Sequence, residues 1–212
     1  MIQKPMIIFG AGGHAKVLID VLHGQSASLL GITDPDPRKR GENILGVPVI
    51  GNDDVISNYH NDSIELINGI GMIANEKKRQ QIFCIFKRKG YTFANVIHNS
   101  AIISPYVELS EGIQIMAGAV IQPGSEIGTN SIINSRASID HDVIIGDHVH
   151  VAPGVTVSGG VQIGDGTLIG TGATIIQGIK IGVCSIVAAG AVVIRDVPDG
   201  ATVMGVPAKV VK

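Results

Sequence analysis

The chain has 212 residues, of which 45% are hydrophobic and 16% charged, a balance that excludes a disordered segment and allows one large or two small domains. A formal net charge of -2 gives no electrostatic footprint for nucleic acid or for an anionic membrane. Aromatics are only 3%, Trp is absent and glycine reaches 28 residues, so aliphatic side chains must fill the interior and glycine must turn the chain often.

The N-terminal stretch MIQKPMIIF has too short an apolar run for a signal peptide, and no segment approaches the roughly 20 apolar residues of a membrane span. Cys84 and Cys184 are single and far apart, which fits a reduced protein, and a cytoplasmic location is expected. Met6–Phe9 reads as a short buried strand. The turn GAGG follows, and then a helix-like HAKVLIDVLH that ends at Gly24. Leu29–Thr33 reads as a second strand closed by DPDP, with further strands at Val47–Ile50 and Ile64–Asn68. Asn75 is placed to cap a helix running through Lys89, with Ile82, Phe83, Ile85 and Phe86 as its buried stripe and Gly90 beyond its end. Alternating strands and helices predict a small Rossmann-like α/β domain over residues 1–95.

Beyond Val96 the period changes. An aliphatic residue recurs at every sixth position without a slip from Ile97 to Val193. Four residues after each one stands a small or β-branched residue, such as Ala119, Ser131, Ala137, Val143, Thr167 or Ser185. Gly, Asn and Asp cluster between them. Neither helical spacing nor strand alternation produces this pattern. A fixed hexapeptide period predicts an all-β parallel β-helix over residues 96–196, with one hexad per side of a prism and three hexads, or eighteen residues, per coil; residues 197–212 read as a C-terminal tail. The unbroken spacing leaves no place for a loop inserted in a coil.

Within the glycine turn, Gly10, Gly12 and Gly13 follow a strand and open a helix at His14. This fits G-x-G-x-x-A, with Asp34 24 residues after Gly10. A domain of this size supplies only half of a dinucleotide fold, and no hydride-transfer domain follows. The loop is therefore read as holding the diphosphate of a sugar nucleotide at a helix N-terminus. His14 is placed near the sugar, and Asp34 or Asp36 near the ribose or base.

His141 lies two residues after the inward Ile139, near a corner of the prism, where an imidazole titrating near neutrality suits proton abstraction. Asp142 would point away in a regular strand, but a corner could bring it to the imidazole. Gly159 stacks one coil after His141, leaving space beside it and offering a backbone N–H to an oxyanion. His148 is expected to be exposed. Zinc needs three or four converging ligands, and His141 and His150 fall on different sides of the prism, so no metal is expected. Neither cysteine lies near the histidine motif, which argues for direct attack without a covalent intermediate.

Three segments, GAGGHAKVLIDVL, INSRASIDHDVIIGDHVHVAPG and GVPAK, together with the hexads, resemble the NeuD/PglD-type family of sialic acid O-acetyltransferases and UDP-4-amino-sugar N-acetyltransferases, over essentially the whole chain. The resemblance implies a left-handed β-helix, an exception to right-handed crossovers. It also implies a cytoplasmic homotrimer with intersubunit sites, acetyl-CoA as co-substrate and the small N-terminal domain walling the substrate site. It makes His141 the general base, places Asn134, His150 and Ala189 beside the base or the cofactor, gives the space at Gly159 to the pantetheine arm and puts Lys209 at a CoA phosphate. The expected reaction is N-acetylation of a nucleotide-linked 4-amino-sugar, with O-acetylation of sialic acid as the alternative. A carbonic anhydrase-like metalloenzyme and a non-catalytic sugar-nucleotide-binding protein are the rival classes.

Overall fold

The computed structural model describes residues 4–72 and 77–211. They form two compact units, one of residues 4–71 and 77–96 and the other of Met72 and residues 97–211. Asn75, expected as a helix cap, lies outside the described residues.

The first unit holds β1 (Met6–Phe9), α1 (Gly13–His23), β2 (Leu29–Thr33), β3 (Asn43–Ile44), β4 (Val47–Gly51), β5 (Glu65–Asn68) and α2 (Lys78–Arg88). Their sheet runs β3-β4-β2-β1-β5 and is parallel except for the β3–β4 pair. All four residues of β1 are buried, as expected of a parallel strand covered on both faces. On α1, Ala15, Leu18, Ile19 and Leu22 form the buried stripe. On α2 the stripe is Arg79, Ile82, Phe83 and Phe86, while Ile85 is 40% exposed. The i, i+3, i+4, i+7 row starting at Arg79 leaves Ile85 off the apolar face, contrary to the sequence expectation. The rings of Phe9, Phe83, Phe86 and Phe93 contact one another, with centroids 4.4 to 6.2 Å apart. The chain's four Phe residues thus all sit in this unit, and aliphatic residues fill the other.

In the second unit, two-residue strands recur every six residues and pair with the strand eighteen residues away, parallel and in register. Three sheets result. We call the first face the one carrying Ile132–Ile133 and His150–Val151, the second that with Ser138–Ile139 and Thr156–Val157, and the third that with Ile144–Ile145 and Gln162–Ile163. The hexad residues from Ile115 to Val193 are at most 3% exposed, so the period in the sequence is the core itself. Ile97, Ile103 and Leu109 are only partly buried, because an end coil has a neighbour on one side. The buried corner hydroxyls are all bonded: for example, Ser131 donates to the Gly146 carbonyl at 2.9 Å and Thr167 to that of Gly182 at 2.8 Å.

Corner residues with left-handed backbone recur every six positions, and most are glycine; Asn130, Arg136, Asp142, His148 and Cys184 are the exceptions from 112 onward. A side chain there costs about 1–2 kcal/mol, so each exception calls for a compensating contact. Residues 197–212 are more than a tail. Thr202–Met204 pairs parallel with Ile186–Val187, and Lys209–Val210 returns antiparallel beside it, extending the first face. The hexad pattern stops at Val193, so its end marked the end of the period and not of the sheet.

Candidate active site

His141 stands at the corner between the second and third faces. Its backbone N–H donates to Asp140 Oδ1 (2.8 Å), which tightens the turn. The left-handed φ of 57° at Asp142 swings that side chain back, so Asp142 Oδ2 lies 2.8 Å from His141 Nδ1. An ionised carboxylate only accepts, so the ring proton sits on Nδ1 and the lone pair of the neutral ring on Nε2. The Asp142 hydrogen bond, with the charge of Asp140 behind it, raises the His141 pKa above its ordinary value of 6.5. Both side chains are well exposed, 62% and 70%.

Glycine flanks the pair on either side. One coil later, a Cβ at Gly159 would come within 2.6 Å of His141 Nε2; one coil earlier, a Cβ at Gly124 would come within 2.5 Å of Asp142 Oδ1. The space at Gly159 is therefore filled by the imidazole, not left open for a pantetheine arm as the sequence reading had it. The Gly160 N–H donates to the His141 carbonyl and the Gly178 N–H to that of Gly159, while the Gly159 N–H itself has no acceptor among the described residues.

Asn134 and His150 form a second group, on the first face and its corner. Asn134 Oδ1 accepts the Ser135 N–H at 2.8 Å, which orients the amide so that its Nδ2 donates to His150 Nε2 at 3.1 Å. Asn134 is thus not beside His141 within one chain. Ala189 is exposed at the same corner, next to the open, left-handed Gly190. Lys209 shares a cavity of about 270 Å³ with Arg195 and Asp196. His148 is half-buried, not exposed as expected; its Nδ1 lies 2.9 Å from Nδ2 of the buried Asn130 one coil earlier, and this contact compensates its left-handed backbone. Among the described residues no group of three or more His, Cys, Asp or Glu converges as a metal cage would, and no helix is long and apolar enough to cross a membrane.

In the first unit the glycine turn joins β1 to α1 at the carboxyl edge of the sheet, where open α/β sheets take ligands. Gly10 has a φ of 83°, and Gly12 caps α1 with no side-chain hydrogen bond. Nothing lies within 4 Å of where a Cβ would stand on Gly12 or Gly13, so the helix N-terminus is open to an approaching anion. His14 is half-buried in the first turn, with Gly71 against its Cβ. Asp34 is only 8% exposed and engaged from within: it accepts the Ala11 N–H (2.8 Å), the Asp36 N–H (3.0 Å) and Lys39 Nζ (2.9 Å). Burial alone would raise its carboxyl; these three donors outweigh that and hold it below the usual 3.8. Asp34 therefore braces the loop. Asp36 caps a short 3-10 turn at Pro37–Lys39 and takes Arg38 in a two-pronged contact, so it too is internally engaged.

A comparison with curated protein sequences gave no match. The PglD N-terminal domain family matches residues 5–86, and the bacterial transferase hexapeptide family (six repeats) matches residues 124–159. Among solved structures, a histidine-to-asparagine mutant of perosamine N-acetyltransferase from Caulobacter crescentus, in complex with CoA and GDP-perosamine, is 38% identical with a TM-score of 0.91, over 100% of this chain and 98% of that one. The chain belongs to the PglD-type sugar N-acetyltransferases. The acetyltransferase domain of PglB from Neisseria gonorrhoeae FA1090, in complex with acetyl coenzyme A, is 33% identical with a TM-score of 0.90, over 99% of this chain and 100% of that one. WeeI from Acinetobacter baumannii AYE is 29% identical with a TM-score of 0.81, over 99% and 100%.

For a PglD-type enzyme the sequence left two neighbours of these sites unread. Gly124 could have been found by subtracting one coil from Asp142. Arg79 could not. Its guanidinium is buried within α2, and burial pulls its pKa down to about 9. Its Nη1 donates to the carbonyls of Asn68 (2.7 Å) and Ile70 (2.8 Å), fixing the loop after β5 that packs against Gly10. Only the folded loop shows that arrangement.

Proposed function

We propose that this enzyme transfers an acetyl group from acetyl-CoA to the amine of a nucleotide-linked amino sugar, with His141 as general base. The observation that carries the reading is the His141–Asp142 pair: Nδ1 is tied to a carboxylate, and Nε2 lies at a glycine-lined, exposed corner. Nε2 takes the proton of the attacking amine as the new N–C bond forms at the thioester carbonyl. The Gly159 N–H is placed to stabilise the oxyanion. As the tetrahedral intermediate collapses, the C–S bond breaks, and the imidazolium returns its proton to the departing CoA sulfur. Asp142 keeps Nδ1 protonated and stabilises the imidazolium between the two transfers.

The relative with CoA and GDP-perosamine bound supports a nucleotide-linked 4-amino-sugar over a sialic acid hydroxyl. The open α1 N-terminus supports the diphosphate there. Within one prism, His141 and the Asn134–His150 pair occupy different edges. This supports a homotrimer in which one subunit's base meets the neighbour's Asn134, His150 and Ala189, with Lys209 at a CoA phosphate. A cytoplasmic site of action follows from acetyl-CoA and nucleotide sugars as substrates.

The test is CoA thiol release with acetyl-CoA and a panel of GDP-, UDP- and dTDP-linked amino sugars beside sialic acid. The reading expects release with at least one nucleotide-linked amine. Release with sialic acid alone would replace it by O-acetylation, and ligand binding without thiol release would make the protein a binding module.

A further inference from the structure

The side chain that closes the corner between the second and third faces is Val107, Ser125, Val143, Val161 and Ile179 in successive coils. Only Ser125 carries a hydroxyl, and it is fully buried. That hydroxyl donates to the Asp140 carbonyl at 2.8 Å and accepts the Val143 N–H at 3.2 Å. These two groups bracket His141 and Asp142. The same brace occurs on another edge: Ser131 spans Gly146 and Val149, and Thr167 spans Gly182 and Ser185. On the edge of His141 the next corner follows Val143, which has no group to brace it. The hydroxyl thus stands under the one corner of this edge where a left-handed aspartate must reach an imidazole.

We propose that Ser125 is a positioning residue for the acetyl transfer, its buried hydroxyl clamping Asp140 and Val143 so that Asp142 meets His141 Nδ1 and Nε2 is held against Gly159. The proposal rests on His141 as the base. A corner free to relax would lengthen the Asp142–His141 contact, weaken the proton acceptor and misalign it with the amine.

The test compares Ser125→Ala with Thr167→Val in the full-length protein. Each removes one bracing hydroxyl, but only the first touches the corner of His141. Expected for Ser125→Ala are a fall in kcat of about tenfold or more, KM values for both substrates within about twofold, and a His141 ring titration, followed by NMR, moved to lower pH. Thr167→Val should lose melting temperature comparably, with kcat and the His141 titration unchanged. Ser125→Thr, which keeps the hydroxyl, should restore both. If Ser125→Ala does not fold, Ser125→Cys, a weaker hydrogen-bonding group, replaces it. An unmoved His141 titration, or equal losses of kcat in Ser125→Ala and Thr167→Val, overturns the proposal. His141→Ala run in the same assay separates the two readings: full turnover there removes the base role, while the NMR titration still judges the clamp.

Discussion

At Gly12 and Gly13 an added Cβ would meet no atom within 4 Å, whereas at Gly159 it would stop 2.6 Å from Nε2 of His141. At these two sites glycine serves opposite ends. At the start of α1, glycine leaves a vacancy, and the side chain behind it, Asp34, is engaged in holding the loop. At the β-helix corner, glycine provides a seat, and the side chain in that seat sets its unprotonated nitrogen against that glycine. A vacancy calls for a ligand from outside. A seat holds a reactive group of the protein's own.

Alanine substitution separates these uses. Gly159→Ala should push the imidazole out of place and lower kcat about a hundredfold, with a small change in melting temperature because only the tip of a side chain must move. A full kcat would mean that the ring is not seated there in catalysis. Gly12→Ala should leave the fold and the acetyl-CoA KM intact but raise the nucleotide-sugar KM about tenfold, a loss of about 1.4 kcal/mol. If that KM stays the same, the vacancy is not the diphosphate site. Asp34→Asn should cost about 1–3 kcal/mol in denaturant titrations, since the buried Ala11 N–H and the partly buried Lys39 ammonium lose a charged acceptor. Asp34 has a lowered folded-state pKa, so its contribution is complete above the unfolded value near 3.8 and is lost as pH falls through the lower folded value. The substituted protein should therefore lose less stability on acidification through that window.

Asp142→Asn should lower kcat at high pH at least as far as Ser125→Ala does, about tenfold or more, and gives the most informative pH profile. The enzyme needs neutral His141, and Asp142 raises its pKa, so the acid limb of kcat/KM lies above 6.5. Removing the carboxylate should move that limb to lower pH. A limb that stays in place would assign it to another group.

The β-helix was legible because its core repeats: each hexad from Ile115 to Val193 is buried at the position the spacing marks. The stacking of Gly159 on His141 was legible by the same periodicity, eighteen residues apart. The strands of the first unit were legible from short apolar runs between turns. Other features depend on backbone phase and loop shape, which residue types do not spell out. The reach of Asp142 requires a left-handed corner, Ile85 turns outward because the row on α2 begins at the buried Arg79, and Thr202–Met204 joins the first face after the hexads have stopped. The three internal donors to Asp34 likewise appear only in the folded loop.

Single-turnover acetyl transfer by His141→Ala, with acetyl-CoA and a nucleotide-linked amino sugar both bound, tests the central claim most directly. The account predicts a rate about 10²- to 10⁴-fold below that of the unaltered enzyme, with both dissociation constants unchanged. Transfer at the unaltered rate would contradict it, and the proton acceptor would have to be sought elsewhere.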